Sequence, residues 1–297
     1  MTETRYRAVE QYGGWFSIEP MPSVEALREF YAGVYFQNPQ STSYATTYDP
    51  LELKYRALRC RLLLKALAQQ GNESSGTLLD VGAGEGFLMA EAAASGLTVL
   101  GIDFSEAGIQ RCHPQLRSQL MVGGVEESLA TLAHQNTRVT VCTALNVIEH
   151  VIDPISTMKA MREVLAPGGI MALTVPNDFS DLQKHLVASG QVSHEYWLAP
   201  PQHLHYFNTH SIQAFCRHAG LVVVDAYADF PIELFLLHPA SNYVDAPAAG
   251  AAAHKARITA ELLMAETGLE NLLALNRSLF KVGIGRALTV LCRTAGD

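Results

Sequence analysis

The stretch Thr77-Leu78-Leu79-Asp80-Val81-Gly82-Ala83-Gly84-Glu85-Gly86-Phe87-Leu88 decides the fold. A short apolar run ends in an acid and a glycine-rich turn follows. The chain then reads as a helix from Phe87 to Ala94, with Gly96 as its stop. Strand, tight turn and helix is the arrangement in which backbone N–H groups and a helix N-terminus face a ligand. Gly82, Gly84 and Gly86 carry no Cβ, so the turn can be sharp and the backbone can lie close against what it binds. A second apolar run, Leu97 to Ile102, ends in Asp103. That carboxylate stands at the tip of the neighbouring strand, where it can accept hydrogen bonds from both ribose hydroxyls of an adenosine. Loop and acid together predict a nucleoside pocket.

The spacing argues against a dinucleotide. That fingerprint orders its glycines G-x-G-x-x-G, and Phe87 occupies the place of its third glycine. Here the order is G-x-G-x-G, with Asp80 just ahead of Gly82. An acid so close to the loop repels a pyrophosphate and suits a cationic amino-acid group. On these residues the chain resembles the class I S-adenosylmethionine (SAM) dependent methyltransferases. Their motif hh-D-h-G-x-G-x-G, with an acid about twenty residues on, is matched by Asp80, Gly82, Gly84, Gly86 and Asp103. The resemblance implies an α/β fold, a Rossmann-like seven-stranded sheet with its last strand antiparallel. It implies SAM as methyl donor, S-adenosylhomocysteine as product, Ala83 within the binding loop and Phe104 stacked on the adenine.

The likeness continues downstream. Gln119 to Glu126 resembles the third strand and the adenine-edge loop. Relatives often carry Gly-Asp-Ala there, and Gly124 stands where that acid would be. The contact then passes to Glu126 or is lost, and Val125 gives only backbone and apolar surface. Val139 to Ala144 reads as the fourth strand, with Ala144, Leu145 and Asn146 at the cofactor. Val147-Ile148-Glu149-His150-Val151-Ile152-Asp153-Pro154 resembles the post-strand motif of the ubiquinone-type O-methyltransferases. A helix is expected over Met158 to Leu165. It stops at Ala166-Pro167-Gly168-Gly169 before the fifth strand, Ile170 to Pro176. The ubiquinone-type enzymes read Glu-x-x-Glu-His near Glu149 and can hold a divalent cation there. Asn146 replaces the first of those acids, which weakens a Mg²⁺ site, so no metal is expected.

Composition fits a globular domain. The 297 residues are 48% hydrophobic and 17% charged, enough for one large core with an elaborated cap. A net charge of −8 disfavours a nucleic-acid substrate. No leader-like start and no membrane-length apolar run is visible, so a cytoplasmic protein without a membrane partner is expected. The five cysteines show no paired spacing.

Four regions are expected: a helical cap over 1–70, a SAM-binding core over 71–229, a helical insertion over 230–286, and the last strand over 287–297. The cap has helices at Ser23 to Tyr31 and Leu51 to Gln70. By resemblance it covers the methionine tail of SAM, with Tyr44, Tyr48, Tyr55, Arg59 and Arg61 as candidates to hold its carboxylate; Arg59 and Tyr48 lead. A helix at Ser211 to Ala219, capped by Ser211 or Thr209, precedes the sixth strand, Leu221 to Tyr227. The insertion reads as a lid or a homodimer face, with a structural brace as the alternative. As a lid, its Phe230, Leu234, Phe235 and Leu236 would fold against Trp15, Phe16, Tyr31, Tyr35 and Phe36.

Histidines point to the chemistry. Methyl transfer from a sulfonium is a direct displacement, so the acceptor must be aligned and any acceptor proton removed. A sugar or aliphatic hydroxyl needs a base. In Gly190 to Phe207, on the loop face after the fifth strand, His203 and His205 alternate and would point the same way, with His194 and Glu195 nearby. His-Leu-His-Tyr-Phe-Asn also resembles a string in bacterial relatives acting on sugars or secondary metabolites. His203 or His205 is expected as general base, with His150 beside the cofactor. The expected reaction is O-methylation of a small hydroxylated acceptor, a sugar, sugar nucleotide or natural product. N-methylation of a small amine and a silent SAM-binding partner protein are the alternatives.

Overall fold

The structure, a computed structural model, describes residues 7–11, 13–30, 48–71 and 76–295. In chain order its first elements are β1 (Arg7–Glu10), β2 (Phe16–Glu19), α1 (Val24–Phe30), α2 (Pro50–Gln69), β3 (Thr77–Val81), α3 (Phe87–Ala94), β4 (Thr98–Asp103), α4 (Ala107–Cys112) and β5 (Leu120–Val122). There follow α5 (Val125–His134), β6 (Val139–Leu145), α6 (Pro154–Glu163), β7 (Leu165–Pro176), α7 (Asp181–Ala188) and β8 (His205–Tyr206). The last are α8 (Ser211–His218), β9 (Leu221–Ala228), α9 (Gly250–Ala265), α10 (Leu269–Lys281) and β10 (Ala287–Thr294).

The main sheet has seven strands in the order β5-β4-β3-β6-β7-β10-β9. β5 through β7 run parallel, and β10 lies antiparallel between β7 and β9. A parallel sheet is buried on both faces, which is why its strands read as near-continuous apolar runs. Leu79, Cys142 and Leu173 face α5, α6 and α8 through Leu129, Met158 and Phe215. Leu78, Val141 and Ile170 face α2, α3 and α10 through Leu63, Met89 and Leu273.

Helix starts follow local chemistry. Asp49 caps α2 by accepting from the Glu52 N–H at 2.8 Å, with Pro50 at the first helical position. Asp153 and Pro154 do the same for α6, so that helix spans Pro154–Glu163 and starts earlier than the sequence reading placed it. β7 likewise begins at Leu165 and runs through the Pro-Gly-Gly turn. A register shift between Val139 and Val141 absorbs Gly168, whose φ is 71°. At α8 the cap is neither Ser211 nor Thr209. Asn208 Oδ1 accepts from the Ser211 N–H at 3.0 Å.

The cap is not purely helical. β1 and β2 form a hairpin whose second strand pairs with β8 in a small three-stranded sheet. Trp15 meets Phe215 edge-on at 5.5 Å and Phe16 stacks on Phe179 at 4.1 Å. These two aromatics therefore brace α8 and the loop after β7, where they were expected against the insertion. Tyr31, Tyr35, Phe36 and Tyr44 lie outside the described residues. The insertion itself splits its roles. Leu272 and Leu273 of α10 are buried in the core, so α10 is a brace, while α9 lies across α2, where His254 meets Glu52 at 3.1 Å.

Candidate active site

The glycine loop has the shape its sequence requires. Gly82, Gly84 and Gly86 have φ of 73°, 55° and 78°, a region that L side chains avoid. A Cβ on Gly82 would lie 2.4 Å from Val147 Cγ2. The N–H groups of Gly82 and Ala83 donate to Ile102 O at 2.8 and 3.0 Å, which ties the loop to β4. Asp103 ends β4; its Oδ2 accepts from the Gly84 N–H at 2.8 Å and its Oδ1 from the Ser105 N–H at 2.9 Å. Each oxygen keeps a second acceptor site for a ribose hydroxyl. Phe104 beside it is 66% exposed, an aromatic face with nothing packed over most of it.

Beneath the loop, Asp80 is 3% exposed and accepts from Thr143 Oγ1 at 2.7 Å. Burial pushes its carboxyl up to about 7, and an ammonium held above it would restore the carboxylate. These features fit SAM: a glycine loop that admits close approach, a ribose acid, a free aromatic and a buried acid for the amino group. Asp103→Ala should weaken SAM binding by roughly 1.5–3 kcal/mol, the range for hydrogen bonds to a charged group. Unchanged affinity by calorimetry in a folded variant would refute the ribose assignment.

Other predicted contacts are placed differently. The Tyr48 hydroxyl donates to Glu85 at 2.7 and 2.9 Å. Glu85 also takes Arg56 at 3.2 Å and Arg111 at 2.7 Å, so Tyr48 holds the loop's own acid. Sequence reading missed Glu85, although an acid amid glycines is the available signal. Arg61 pairs with Glu91 on the surface. Glu126 is exposed on the first turn of α5, with Oε1 accepting from Thr157 Oγ1 at 3.1 Å, and Val125 is buried. Ala144 is buried in β6, and Asn146 at its tip has φ 56°, a strained conformation of the kind that gathers at functional sites. Leu145 and Asn146 line a cavity of about 360 Å³ that continues past Tyr55 and Arg59.

The two loop histidines do not act as a pair. His205 is 4% exposed; its Nδ1 shares a hydrogen bond with Ser17 Oγ at 2.8 Å and its Nε2 donates to Val151 O at 3.0 Å. With both nitrogens committed to the fold, none is left for an acceptor proton, and this corrects the expectation for His205. His194 is exposed and bonded to Ser193. His203 instead packs on His150, ring centroids 4.9 Å apart, with its Nδ1 buried and lacking a hydrogen-bond partner among the described residues. Ligand atoms of Glu149, His150 and His203 lie within 4.8 Å of one another. The set with metal-ligand spacing therefore includes His203, which the reading built on Asn146, Glu149 and His150 did not anticipate.

Burial dominates the titration of this cluster. It pushes Glu149 up to about 8 and His150, His203 and His205 down to about 4. Folded Glu149 and Asp80 hold protons that the unfolded chain releases near 4.5 and 3.8. Stability from the acids is thus present at low pH and lost as pH rises through 7 and 8. The histidines work oppositely, and their effect is complete by about 6.5. Between pH 6.5 and 8 the ligand-free protein should melt at falling temperature, and Glu149→Gln should flatten the fall. A wild-type rise, or an equal slope in the variant, would contradict the assignment.

Glycine loop, ribose acid and strand order together define a nucleoside-binding methyltransferase fold. The profile of the "Methyltransferase domain" family matches residues 53–226, more than half of the chain. The chain belongs to that family, as a class I SAM-dependent methyltransferase. It is 33% identical over 124 residues to the ubiquinone biosynthesis O-methyltransferase of Serratia proteamaculans, covering 41% of this chain and 47% of that protein. To the protein of the same name from Aromatoleum aromaticum it is 30% identical over 150 residues, covering 48% and 63%. The match thus spans about half the length of these relatives. Among solved structures, the CcbJ methyltransferase of Streptomyces caelestis aligns with TM-score 0.49 at 14% identity, covering 87% of this chain and 95% of that one. No helix among the described residues is long and apolar enough to cross a membrane.

Proposed function

We propose that the protein methylates a hydroxyl of a small acceptor, with His203 as general base. The observation that carries this is the His203 Nδ1, buried without a hydrogen-bond partner among the described residues, beside His150 and Glu149. Burial holds His203 down to about 4, so at neutral pH the ring is uncharged and able to take a proton. SAM supplies the electrophile, a methyl group on a sulfonium. With SAM bound, the acceptor oxygen would take that methyl as the carbon–sulfur bond gave its electron pair to sulfur, and His203 would take the hydroxyl proton. His150 donates from Nδ1 to Gln202 O at 2.7 Å, which fixes its ring against His203. Asp103 and the glycine loop hold the nucleoside, and Asp80 lies beneath the loop for the amino group.

Incubation with SAM and a panel of sugars, sugar nucleotides, phenols and small amines, read by mass spectrometry, tests this. A product heavier by one methylene and stable to mild acid and base supports O-methylation. Products confined to amines would replace it with N-methylation, and none across hydroxyls and amines would leave a SAM-binding partner protein.

A further inference from the structure

The cavity that starts at Leu145 and Asn146 leads away from the glycine loop. It runs across the sheet under α2 and α9 to Tyr227 and Asp229, at the far edge strand β9. β9 is third along from β6, so at about 4.8 Å per strand the far end lies roughly 14 Å from the β6 tip. That is beyond the strands that carry the nucleoside site, β3, β4 and β6.

The far end is built of polar groups only partly satisfied: Asp229 Oδ1 accepts from the Ala287 N–H at 2.7 Å and Glu261 Oε1 from the Phe230 N–H at 3.4 Å, while their other oxygens are left over. Asp229 and Glu261 are 7% and 2% exposed, yet Asp229 Oδ2 and Glu261 Oε2 have no hydrogen-bond partner among the described residues. Arg257 Nε is buried without one too. Arg59 approaches Asp229 Oδ2 only to 3.9 Å, too long for a hydrogen bond. Arg257 sits 5.3 Å from the centre of the Tyr55 ring, which walls the same space. Buried polar atoms left unpaired are costly, so this end is shaped for something that completes them.

The balance of charge narrows what that is. Two arginines face two acids, so a simple anion would meet Asp229 and Glu261, and a simple cation would meet Arg59 and Arg257. An apolar chain would strand all four against hydrocarbon. A hydroxyl both donates and accepts, so neighbouring hydroxyls on one ring can give to the carboxylates and receive from the guanidiniums. We propose that this cavity seats a neutral polyhydroxylated ring, a pyranose-type sugar, with the reacting hydroxyl toward Asn146. The volume of about 360 Å³ is at the small end of ligand pockets. This rests on the reading of the protein as a methyltransferase of hydroxylated acceptors.

The test is saturation-transfer NMR on the protein with S-adenosylhomocysteine, using methyl glycosides of glucose, galactose, mannose and rhamnose, with glycine and phenol as comparators. At least one glycoside should give signal, and Arg257→Leu and Glu261→Gln should each weaken it about tenfold or more, about 1.4 kcal/mol. S-adenosylhomocysteine affinity should stay unchanged. Should Glu261→Gln fail to fold, the half-buried Arg257 site decides alone. Silence from every glycoside, indifference to the variants, or signal from glycine alone overturns the proposal. A glycoside that binds but gains no methyl group from SAM keeps the site and defeats the methyl-transfer reading. Methylation of phenol with no glycoside bound does the reverse.

Discussion

Arg286→Met is expected to destabilise the protein by about 3 kcal/mol or more, the cost of leaving a buried charge without its partner. Arg286 NH1 lies 2.7 Å from Asp178 Oδ1 and 3.6 Å from Glu233 Oε1, and those acids are 1% and 2% exposed. Burial already pushes both carboxyls up, and Arg286 is the opposing influence that holds them down. Without it the acids must protonate in order to stay buried. The deficit should therefore be small near pH 5 and grow toward pH 8, because protonation becomes more costly as pH rises. Urea denaturation at both values measures this, and adding Asp178→Asn should recover part of the loss. A pH-independent deficit would show that Arg286 contributes by packing alone.

His203→Ala is expected to lower kcat by roughly 10²–10⁴, as for removal of a general base, with SAM affinity retained. The fold should survive, because among the described residues Nδ1 of His203 makes no hydrogen bond whose loss would strand a partner. His205→Ala makes the contrast. It removes the bonds to Ser17 and Val151, so it should lower the melting temperature first. Since His203 is held near 4, kcat/KM should be level from about pH 5 to 7, with no inflection at the ordinary value of about 6.5. Near-wild-type turnover of the His203 variant would leave alignment alone to explain the rate.

Much of the core was legible because its signals are local. The turn from Gly82 to Gly86 needs glycine at three positive φ values, and α3 runs from Phe87 to Ala94 as read. The parallel strands announced themselves as unbroken apolar runs, and the antiparallel β10 followed from the resemblance. What escaped was non-local. β1 and β2 are four residues each and pair with one another, and β2 is held in turn by β8, far along the chain. The two-residue alternation of His203 and His205 placed both on one face, but the strand includes only His205 and Tyr206. His203 sits before it and turns to His150. The Asp229–Glu261 and Asp178–Glu233–Arg286 groups join residues from separate elements, and no spacing in the sequence links them.

Gly82 carries an implication for how this sequence can drift. Two unrelated constraints hold it: φ of 73° in its own backbone, and Val147 Cγ2 lying where a Cβ would go. Trimming Val147 to alanine relieves the collision but not the dihedral. A compensating change at Val147 therefore opens position 82 only to a residue that also tolerates a positive φ, as Asn146 does at 56°. The position is held twice over, so a replacement there has to satisfy its own backbone and its neighbour at once.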